Sequence, residues 1–160
     1  MTHTSRVTAM FLIMLVAPVM AAAQEAPLDS GAVSACFDAT PRGQTDPACI
    51  GQPADACQMS HEQPQTTLAI SQCLMAEAAA WDRLLNREYM ARRADHADAP
   101  ELAELLLQAQ RGWIAMRDAD CSLAYDQFGG GSMRLISGAD CRLRHTAWRS
   151  LQLRDMRWGE

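Results

Sequence analysis

The chain has 160 residues, of which 49% are apolar and 21% charged. This composition excludes an intrinsically disordered chain and a collagen-like repeat, and the length fits one compact domain. The 14 basic residues are all arginine, and 19 acidic residues outnumber them, which gives a net charge of −5. A nucleic-acid backbone requires cations clustered on one face, so we expect no nucleic-acid partner.

The first segment, residues 1–23, has the pattern of a secretory signal peptide. Arg6 supplies the positive start, residues 7–20 the apolar stretch, and a run of alanines ending at Ala23 the cleavage site. The apolar stretch contains Pro18 and is shorter than the roughly 20 residues of a membrane-spanning helix. We therefore expect cleavage near Ala23, a periplasmic or secreted location, and no membrane span in the mature chain.

The next segment, residues 24–65, is expected to form a Pro-rich, acidic arm. Up to residue 64 it holds five prolines, three glycines, six acids and one arginine, Arg42. Prolines and glycines at this density predict loops rather than long helices. Its three cysteines, Cys36, Cys49 and Cys57, would then hold its shape, because a disulfide that closes a loop of this size stabilises by about 3 kcal/mol.

The remaining segment, residues 66–160, is expected to form a domain of three helices. The first is predicted over Thr67–Ala99, which lacks Pro and Gly and repeats apolar residues at a spacing near 3.6. Thr66 is its expected N-cap, and Pro100 opens the second helix, since proline fits a first turn whose N–H has no partner. The inward row expected of the first helix is Ile70, Leu74, Ala78, Trp81, Leu85 and Tyr89.

The second and third helices are separated by the glycine run at residues 129–131. Gly112 lies inside the second helix at a cost of about 1 kcal/mol against Ala, so we expect a close helix crossing beside Trp113. Either Ser132 or Ser137 caps the third helix, and Ser137 begins a pattern similar to a capping box. The inward rows expected are Leu102, Leu105, Leu106, Ala109, Trp113, Met116 and Leu123 in the second helix, and Ile136, Ala139, Leu143, Ala147, Leu151 and Trp158 in the third.

Three helices of similar length joined by short turns predict an antiparallel up-down-up bundle. The expected fold class is therefore all-α, with disulfides at one end of the bundle and a loop-rich N-terminal arm.

The six cysteines form an even set, which in an exported chain favours three disulfides over metal ligation or a catalytic thiol. No two are close enough for a C-x2-C metal pair, and the histidines are scattered, so we expect no metal or cofactor. Counting from the two turns places four cysteines at one end of the bundle, where two bridges can form in any of three pairings; these are Cys57, Cys73, Cys121 and Cys141. The remaining pair, Cys36 with Cys49, falls within the arm.

Four short motifs follow one another along the predicted helices. They are Trp81-x2-Leu84-Leu85-Asn86-x2-Tyr89, Gln110-x2-Trp113-x3-Arg117-Asp118-Ala119-x-Cys121, Gly130-Gly131-Ser132, and Cys141-x4-Thr146-x2-Arg149-x3-Leu153. In this order they resemble the LprI-type lysozyme-inhibitor family of bacterial envelope proteins, over roughly Cys57 to Leu153. The resemblance implies a small, helical, disulfide-bonded exported domain that inhibits lysozyme.

A structural interpretation is favoured for most of these motif residues. The aromatic and leucine positions recur at helical spacing, which is more typical of a core than of a binding surface. Asn86 is expected to cap or bridge helices, and Arg117, Asp118 and Arg149 to form a partly buried ion network, because an unpaired charge there would be costly. Since no carboxylate pair, phosphate loop or nucleophile triad can be assembled, we do not expect an enzyme.

The candidate partner-binding site is the glycine-rich turn with Gly130, Gly131, Ser132 and Arg134, for which a plain helix–helix turn is the alternative. The cleft of a lysozyme holds a pair of carboxylates. Arg134 would pair with one of them while Ser132 or glycine N–H groups donate hydrogen bonds. The acidic chain would speed encounter with a basic lysozyme.

The alternative function is that of a structural or stress-related envelope protein that binds another protein partner. Residues 132–160 carry six arginines and three acids, so the third helix offers a basic face to an acidic protein or to the arm of a second copy. The acidic arm is a second surface that could lie across a basic partner.

Overall fold

The computed structural model describes residues 27–156, and every regular element in that part of the chain is an α-helix. The helices are α1 (Ser30–Ala39), α2 (Gln52–Met59), α3 (Thr67–Asp95), α4 (Pro100–Asp126) and α5 (Met133–Asp155). The all-α prediction is confirmed, with two helices more than expected. None of the five combines the length and the hydropathy that a membrane crossing requires. The predicted signal segment, residues 1–23, and Trp158 lie outside the described residues.

The first long helix, α3, begins where the sequence indicates. Thr66 Oγ1 accepts the N–H of Ala69 at 3.2 Å, so this threonine is the N-cap. The helix ends at Asp95, four residues before the expected Ala99, and a short turn leads to Pro100. Its fully or nearly fully buried side chains include Ala78, Trp81, Leu84 and Leu85.

The second long helix, α4, begins at Pro100 as predicted but buries a different face. Leu102, Leu105, Met116 and Leu123 are 48%, 59%, 50% and 72% exposed, and Ala109 is exposed as well, so the inward row is wrong at these five positions. The covered stripe holds Leu106, Gln110 and Cys121, with Trp113 and Arg117 half-buried. The physical reason is that α4 packs on α5 and makes little contact with α3, so only a narrow stripe is covered.

The close approach of two helices occurs at Gly138 of α5 rather than at Gly112 of α4. A Cβ on Gly138 would lie 3.2 Å from Cδ2 of Tyr125, whereas a Cβ on Gly112 would meet no atom of the described residues within 4 Å. The crossing expected beside Trp113 is therefore wrong, because Gly112 faces solvent.

The third long helix, α5, packs along both α3 and α4. It begins at Met133, so Ser132 occupies the N-cap position, although its side chain makes no capping hydrogen bond. Ser137 lies inside the helix, where its Oγ accepts a hydrogen bond from Gln127 Nε2 at 3.3 Å, so the capping-box interpretation is wrong. The fully buried residues of α5 include Leu143, Ala147, Leu151 and Leu153.

The arm contains two helices where loops were expected. α1 is capped by Asp29, whose Oδ1 accepts two backbone N–H groups of the first turn. Val33, Phe37 and Ile50 are buried in the same core as Trp81 of α3. Burial of these apolar side chains therefore stabilises the arm, in addition to its disulfides.

Three disulfides are present among the described residues. Cys36–Cys49 closes the arm, where this pair was expected. Of the three pairings left open for the other four cysteines, the structure has Cys57–Cys73, which joins α2 to α3, and Cys121–Cys141, which joins α4 to α5.

A buried carboxylate, Glu77 of α3, connects the arm to the long helices. Its Oε1 accepts the N–H of Gly51 at 2.9 Å and the indole N–H of Trp81 at 3.1 Å, and its Oε2 accepts the N–H of Ala54 at 2.8 Å. Glu77 therefore satisfies two N–H groups at the start of α2, those of the N-cap residue Gly51 and of Ala54 in the first turn. Burial raises the pKa of Glu77, and the three hydrogen bonds oppose that rise.

The end of α5 is tied to the arm by Arg154 and Asp155. Arg154 Nη1 donates to the carbonyls of Phe37 at 2.6 Å and Thr40 at 3.0 Å, at the negative end of α1. Asp155 Oδ2 accepts the N–H of Gly43 at 2.8 Å. Burial alone would raise the pKa of Asp155, but the hydrogen bonds from Arg154 and Gly43 and the nearby arginine charges hold it below its ordinary value.

Candidate functional site

The predicted partner-binding turn joins α4 to α5, and residues 126–133 are all exposed. Gly129 has a φ of +55°, a left-handed conformation that favours glycine. Its N–H donates to the carbonyl of Asp126 at 2.9 Å, and the N–H of Gly131 donates to the carbonyl of Phe128 at 3.0 Å. The segment is therefore a pair of consecutive tight turns that presents its glycines to solvent.

Arg134 lies at the base of the turn and is half-buried. Its guanidinium lies over the ring of Tyr125, 5.1 Å from the centroid, and its Nη1 donates to the carbonyl of Gly129 at 3.5 Å. Ser132 is exposed and makes no capping bond. The structure thus brings the predicted residues Gly130, Gly131, Ser132 and Arg134 to one end of the helix pair.

The base of the turn is fixed by contacts between α4 and α5. Cys121–Cys141 links the two helices, and Gly138 allows α5 to lie against the side chain of Tyr125. Within residues 121–141, the backbone on both sides of the turn is therefore held in place.

Exposed apolar side chains surround the turn. Leu123, Phe128, Met133 and Leu135 are 72%, 44%, 48% and 38% exposed. A shallow cleft of about 500 Å³ opens nearby, with Met75, Tyr125 and Arg142 among its lining residues. Apolar side chains interleaved with arginine are typical of protein interfaces. Phe128, Met133 and Leu135 were not among the predicted site residues, although apolar residues on both sides of the glycines are visible in the sequence.

Arg149 of α5 is buried, and no acidic side chain among residues 27–156 pairs with it. It is 8% exposed, and its Nε donates to Gln110 Oε1 at 3.0 Å. Two guanidinium groups lie near the Trp113 ring, that of Arg117 at 4.8 Å and that of Arg149 at 6.0 Å from its centroid. Burial lowers the pKa of Arg149. These motif residues therefore join α4 to α5 by a hydrogen bond and cation–π contacts.

The ion network predicted for Arg117, Asp118 and Arg149 forms only in part. Arg117 Nη2 lies 2.8 Å from Asp118 Oδ1, and Arg142 Nη2 lies 3.6 Å from the same oxygen. Arg149 bonds to Gln110 instead, because that side chain faces it from α4. The prediction is therefore wrong for Arg149.

The other motif residues occupy the core or a helix surface. Trp81, Leu85 and Thr146 are buried, and Tyr89 packs half-buried against the cluster of Leu85, Leu106 and Leu153. Asn86 is exposed, and its Nδ2 donates to Asp82 Oδ2 at 2.9 Å one turn earlier in α3. It neither caps nor bridges helices, so that expectation is wrong.

Two histidines lie beside disulfides. His61 Nε2 is 3.4 Å from Cys73 Sγ, and His145 groups with Cys121 and Cys141 within 4.8 Å. These are the positions at which metal ligands would group, but all four sulfurs involved are bonded in disulfides. Neither group therefore offers thiolate ligands in this state.

The basic face predicted for the third helix is used in part by the chain itself. Asp46 of the arm accepts a hydrogen bond from Trp148 Nε1 at 3.2 Å and lies 3.7 Å from Arg144 Nη1. Arg144 also pairs with Asp140 at 3.1 Å. The acidic arm therefore lies on α5 of its own chain, which reduces the basic surface left for a partner.

Comparison with known proteins gives one family and one similar relative. The family described as "Lysozyme inhibitor LprI" matches residues 57–153. An uncharacterized protein of Rhizobium meliloti (strain 1021) is 31% identical over 124 residues, which span 68% of this chain and 87% of the relative. No solved structure matches the chain.

Proposed function

The chain belongs to the LprI lysozyme-inhibitor family, and on this premise we propose that it binds a lysozyme and blocks the substrate cleft without catalysis. An inhibitor of this kind needs a surface that enters a cleft and carries groups that pair with those inside it. Lysozyme cleaves its substrate with a pair of carboxyl groups that flank the scissile bond. The matching surface therefore requires hydrogen-bond donors and a cation.

The observation that carries the proposal is the exposed turn at residues 129–134. Arg134 can pair with a carboxylate through two parallel hydrogen bonds, and Ser132 and the glycine N–H groups are further donors. Glycines without side chains allow the backbone to approach a surface closely. Leu123, Phe128, Met133 and Leu135 around the turn provide apolar area that would be covered on binding.

Rigidity of the turn supports the same proposal. A loop that is already fixed loses little conformational entropy on binding. Cys121–Cys141, the Gly138–Tyr125 contact and the placement of Arg134 over Tyr125 fix it before a partner arrives.

The net charge of −5 supports fast association with a basic lysozyme. Long-range attraction of opposite net charges raises the association rate, and salt weakens it. We therefore expect inhibition to form more slowly as ionic strength rises.

The family and the three disulfides are consistent with an exported protein, and we propose a periplasmic or secreted location after cleavage near Ala23. We also propose that α3, α4 and α5 form the antiparallel up-down-up bundle of residues 66–160. The pairs Cys121–Cys141 and Gln110–Arg149 support opposite directions for α4 and α5.

The test is a cell-wall lysis assay with hen-type, goose-type and invertebrate-type lysozymes and the mature protein under non-reducing conditions. We expect at least one to be inhibited, and Ser132→Ala combined with Arg134→Ala to weaken that inhibition about tenfold or more. Arg83→Ala, which removes an exposed arginine from α3, is the control and should inhibit like the unchanged protein.

Two outcomes would contradict parts of the proposal. Unchanged inhibition by the double variant would remove the turn from the binding surface. Absence of inhibition with all three lysozymes would contradict the proposed function and favour an envelope protein that binds another partner.

A further inference from the structure

One face of α4 carries an unbroken heptad pattern that faces solvent. Apolar residues or glycine recur in alternating steps of three and four, and each is exposed. We call this set the α4 seam: Leu102, Leu105, Ala109, Gly112, Met116, Ala119 and Leu123. Seven such positions cover three heptads, which is the spacing at which two helices pack side by side.

The α4 seam lies beside the stripe by which α4 packs on α5, and its residues Leu102, Leu105 and Ala109 line a cleft with Leu106 and Met156. That stripe contains Leu106, Gln110 and Cys121, whose side chains are buried. Single exposed leucines are common on protein surfaces, but a continuous apolar row along a whole helix is a recognition surface. The seam is therefore not required for the core of the chain that displays it.

We propose that the α4 seam is the contact surface of a homodimer in which two copies of α4 pack antiparallel about a twofold axis. In this register Leu102 meets Ala119 of the second copy, Leu105 meets Met116, and Ala109 meets Gly112. Large residues near the ends thus face smaller or flexible ones, and the two smallest meet at the axis. A twofold interface requires such self-complementarity.

The small residues at the centre allow the two helices to approach closely. A Cβ on Gly112 would meet no atom of the described part of its own chain within 4 Å, so residues 27–156 leave the space beside Gly112 open. In the proposed dimer this space receives Ala109 of the second copy.

The area that the two copies share is sufficient for a weak dimer. In this register the overlap runs from Leu102 to Ala119, about 26 Å at 1.5 Å per residue, and Leu123 lies beyond it. A packed helix covers a strip roughly 10 Å wide, so with the relief of the side chains each copy would bury roughly 400 Å², or about 800 Å² in total. This is the size of a weak, transient interface.

Charges beside the α4 seam are compatible with this register. On one flank Gln108 faces Ala115 of the second copy, and Glu101 faces Ser122, so no like charges are opposed. On the other flank Asp120 lies 3.4 Å from His145 Nε2 of its own chain. Opposed like charges would have cost several kcal/mol, and this arrangement has none.

The test is sedimentation equilibrium of the mature, disulfide-bonded protein at about 1 to 200 μM. We expect a monomer–dimer equilibrium that Leu105→Glu and Met116→Lys each weaken about tenfold or more. Met90→Lys is the control, because Met90 is 59% exposed on α3 and lies outside the α4 seam. Circular dichroism should show unchanged helix content in all three variants, since each side chain is exposed.

Mixing the two seam variants tests the direction of packing. In the antiparallel register Glu at position 105 faces Lys at position 116 of the second copy, so the mixture should form heterodimers more tightly than either variant forms homodimers. A parallel pair would not bring these positions together, and a mixture without recovery would overturn the antiparallel proposal.

A protein that remains monomeric at 200 μM would overturn the dimer. If such a monomer lost lysozyme inhibition on Met116→Lys, the α4 seam would be the lysozyme-binding surface instead. A dimer that is weakened by Met90→Lys but not by Met116→Lys would place the interface elsewhere. None of these outcomes depends on the turn at residues 129–134.

Discussion

Replacing Glu77 by glutamine should destabilise the protein by about 2–4 kcal/mol. The carboxylate accepts three hydrogen bonds, from Gly51, Ala54 and Trp81, each of which is worth about 1.5–3 kcal/mol when the acceptor is charged. The sum overstates the effect, because burial raises the pKa of Glu77 and so opposes the charged form. Glutamine keeps one acceptor oxygen but turns an NH2 group toward one backbone N–H, which costs about 1–3 kcal/mol.

The loss of negative charge at the N-terminus of α2 adds about 0.3–1 kcal/mol to that cost. The assay is urea denaturation at neutral pH with intact disulfides, followed by circular dichroism. Glu104→Gln is the matched control, because Glu104 is exposed on α4 and accepts a hydrogen bond from the neighbouring Gln108 side chain at 3.1 Å. We expect its effect to stay within about 0.5 kcal/mol. A change of less than 1 kcal/mol for Glu77→Gln would refute the assignment of Glu77 as the cap that holds α2.

Two further predictions concern the α4–α5 contact and the clasp at the end of α5. Gly138→Ala should destabilise the protein by about 1–3 kcal/mol, because the added Cβ would lie 3.2 Å from the side chain of Tyr125. Gly112→Ala in dilute protein should instead stabilise it by about 0.5–1 kcal/mol. Similar changes at both positions in thermal melts would contradict the contact between Gly138 and Tyr125. The folded pKa of Asp155 lies below its ordinary value of 3.8, so the stability it contributes is complete above pH 3.8 and is lost as the pH falls through the folded pKa. Asp155→Asn should therefore be less stable than the unchanged protein at pH 7 and equal to it at the acid end of a pH series, and a constant difference across the series would argue against this titration.

The location of the candidate site could be predicted from the sequence, but the side-chain contacts that form its surface could not. Three glycines followed by serine and arginine mark an exposed turn, because glycine costs backbone entropy and buries nothing. The contact of Arg134 with Tyr125 depends on how α4 and α5 are rotated against each other. No spacing along the chain specifies that rotation.

The same dependence on helix rotation explains why the inward row predicted for α4 is wrong. Its sequence contains two adjacent stripes, one apolar and exposed, the other including Gln110 and Arg117 and partly covered by α5. Periodicity alone favours the more apolar stripe as the inward one. The other stripe is covered because Leu106 packs with Leu85 and Leu153, Cys121 is bonded to Cys141, and Gln110 accepts a hydrogen bond from Arg149.

The sequence by itself determined the all-helical class, the start of α3 at Thr66 and of α4 at Pro100, the turn between α4 and α5, and the family. These features depend on local chemistry: a hydroxyl that accepts an N–H, a ring that fixes φ, and glycines that end a helix. Only the tertiary structure decided the pairing of four cysteines, the burial of Glu77 under α2, the helices of the arm and the exposed face of α4. Each of these depends on which distant groups meet, because a buried polar group or an exposed apolar one acquires its role from its partners in space.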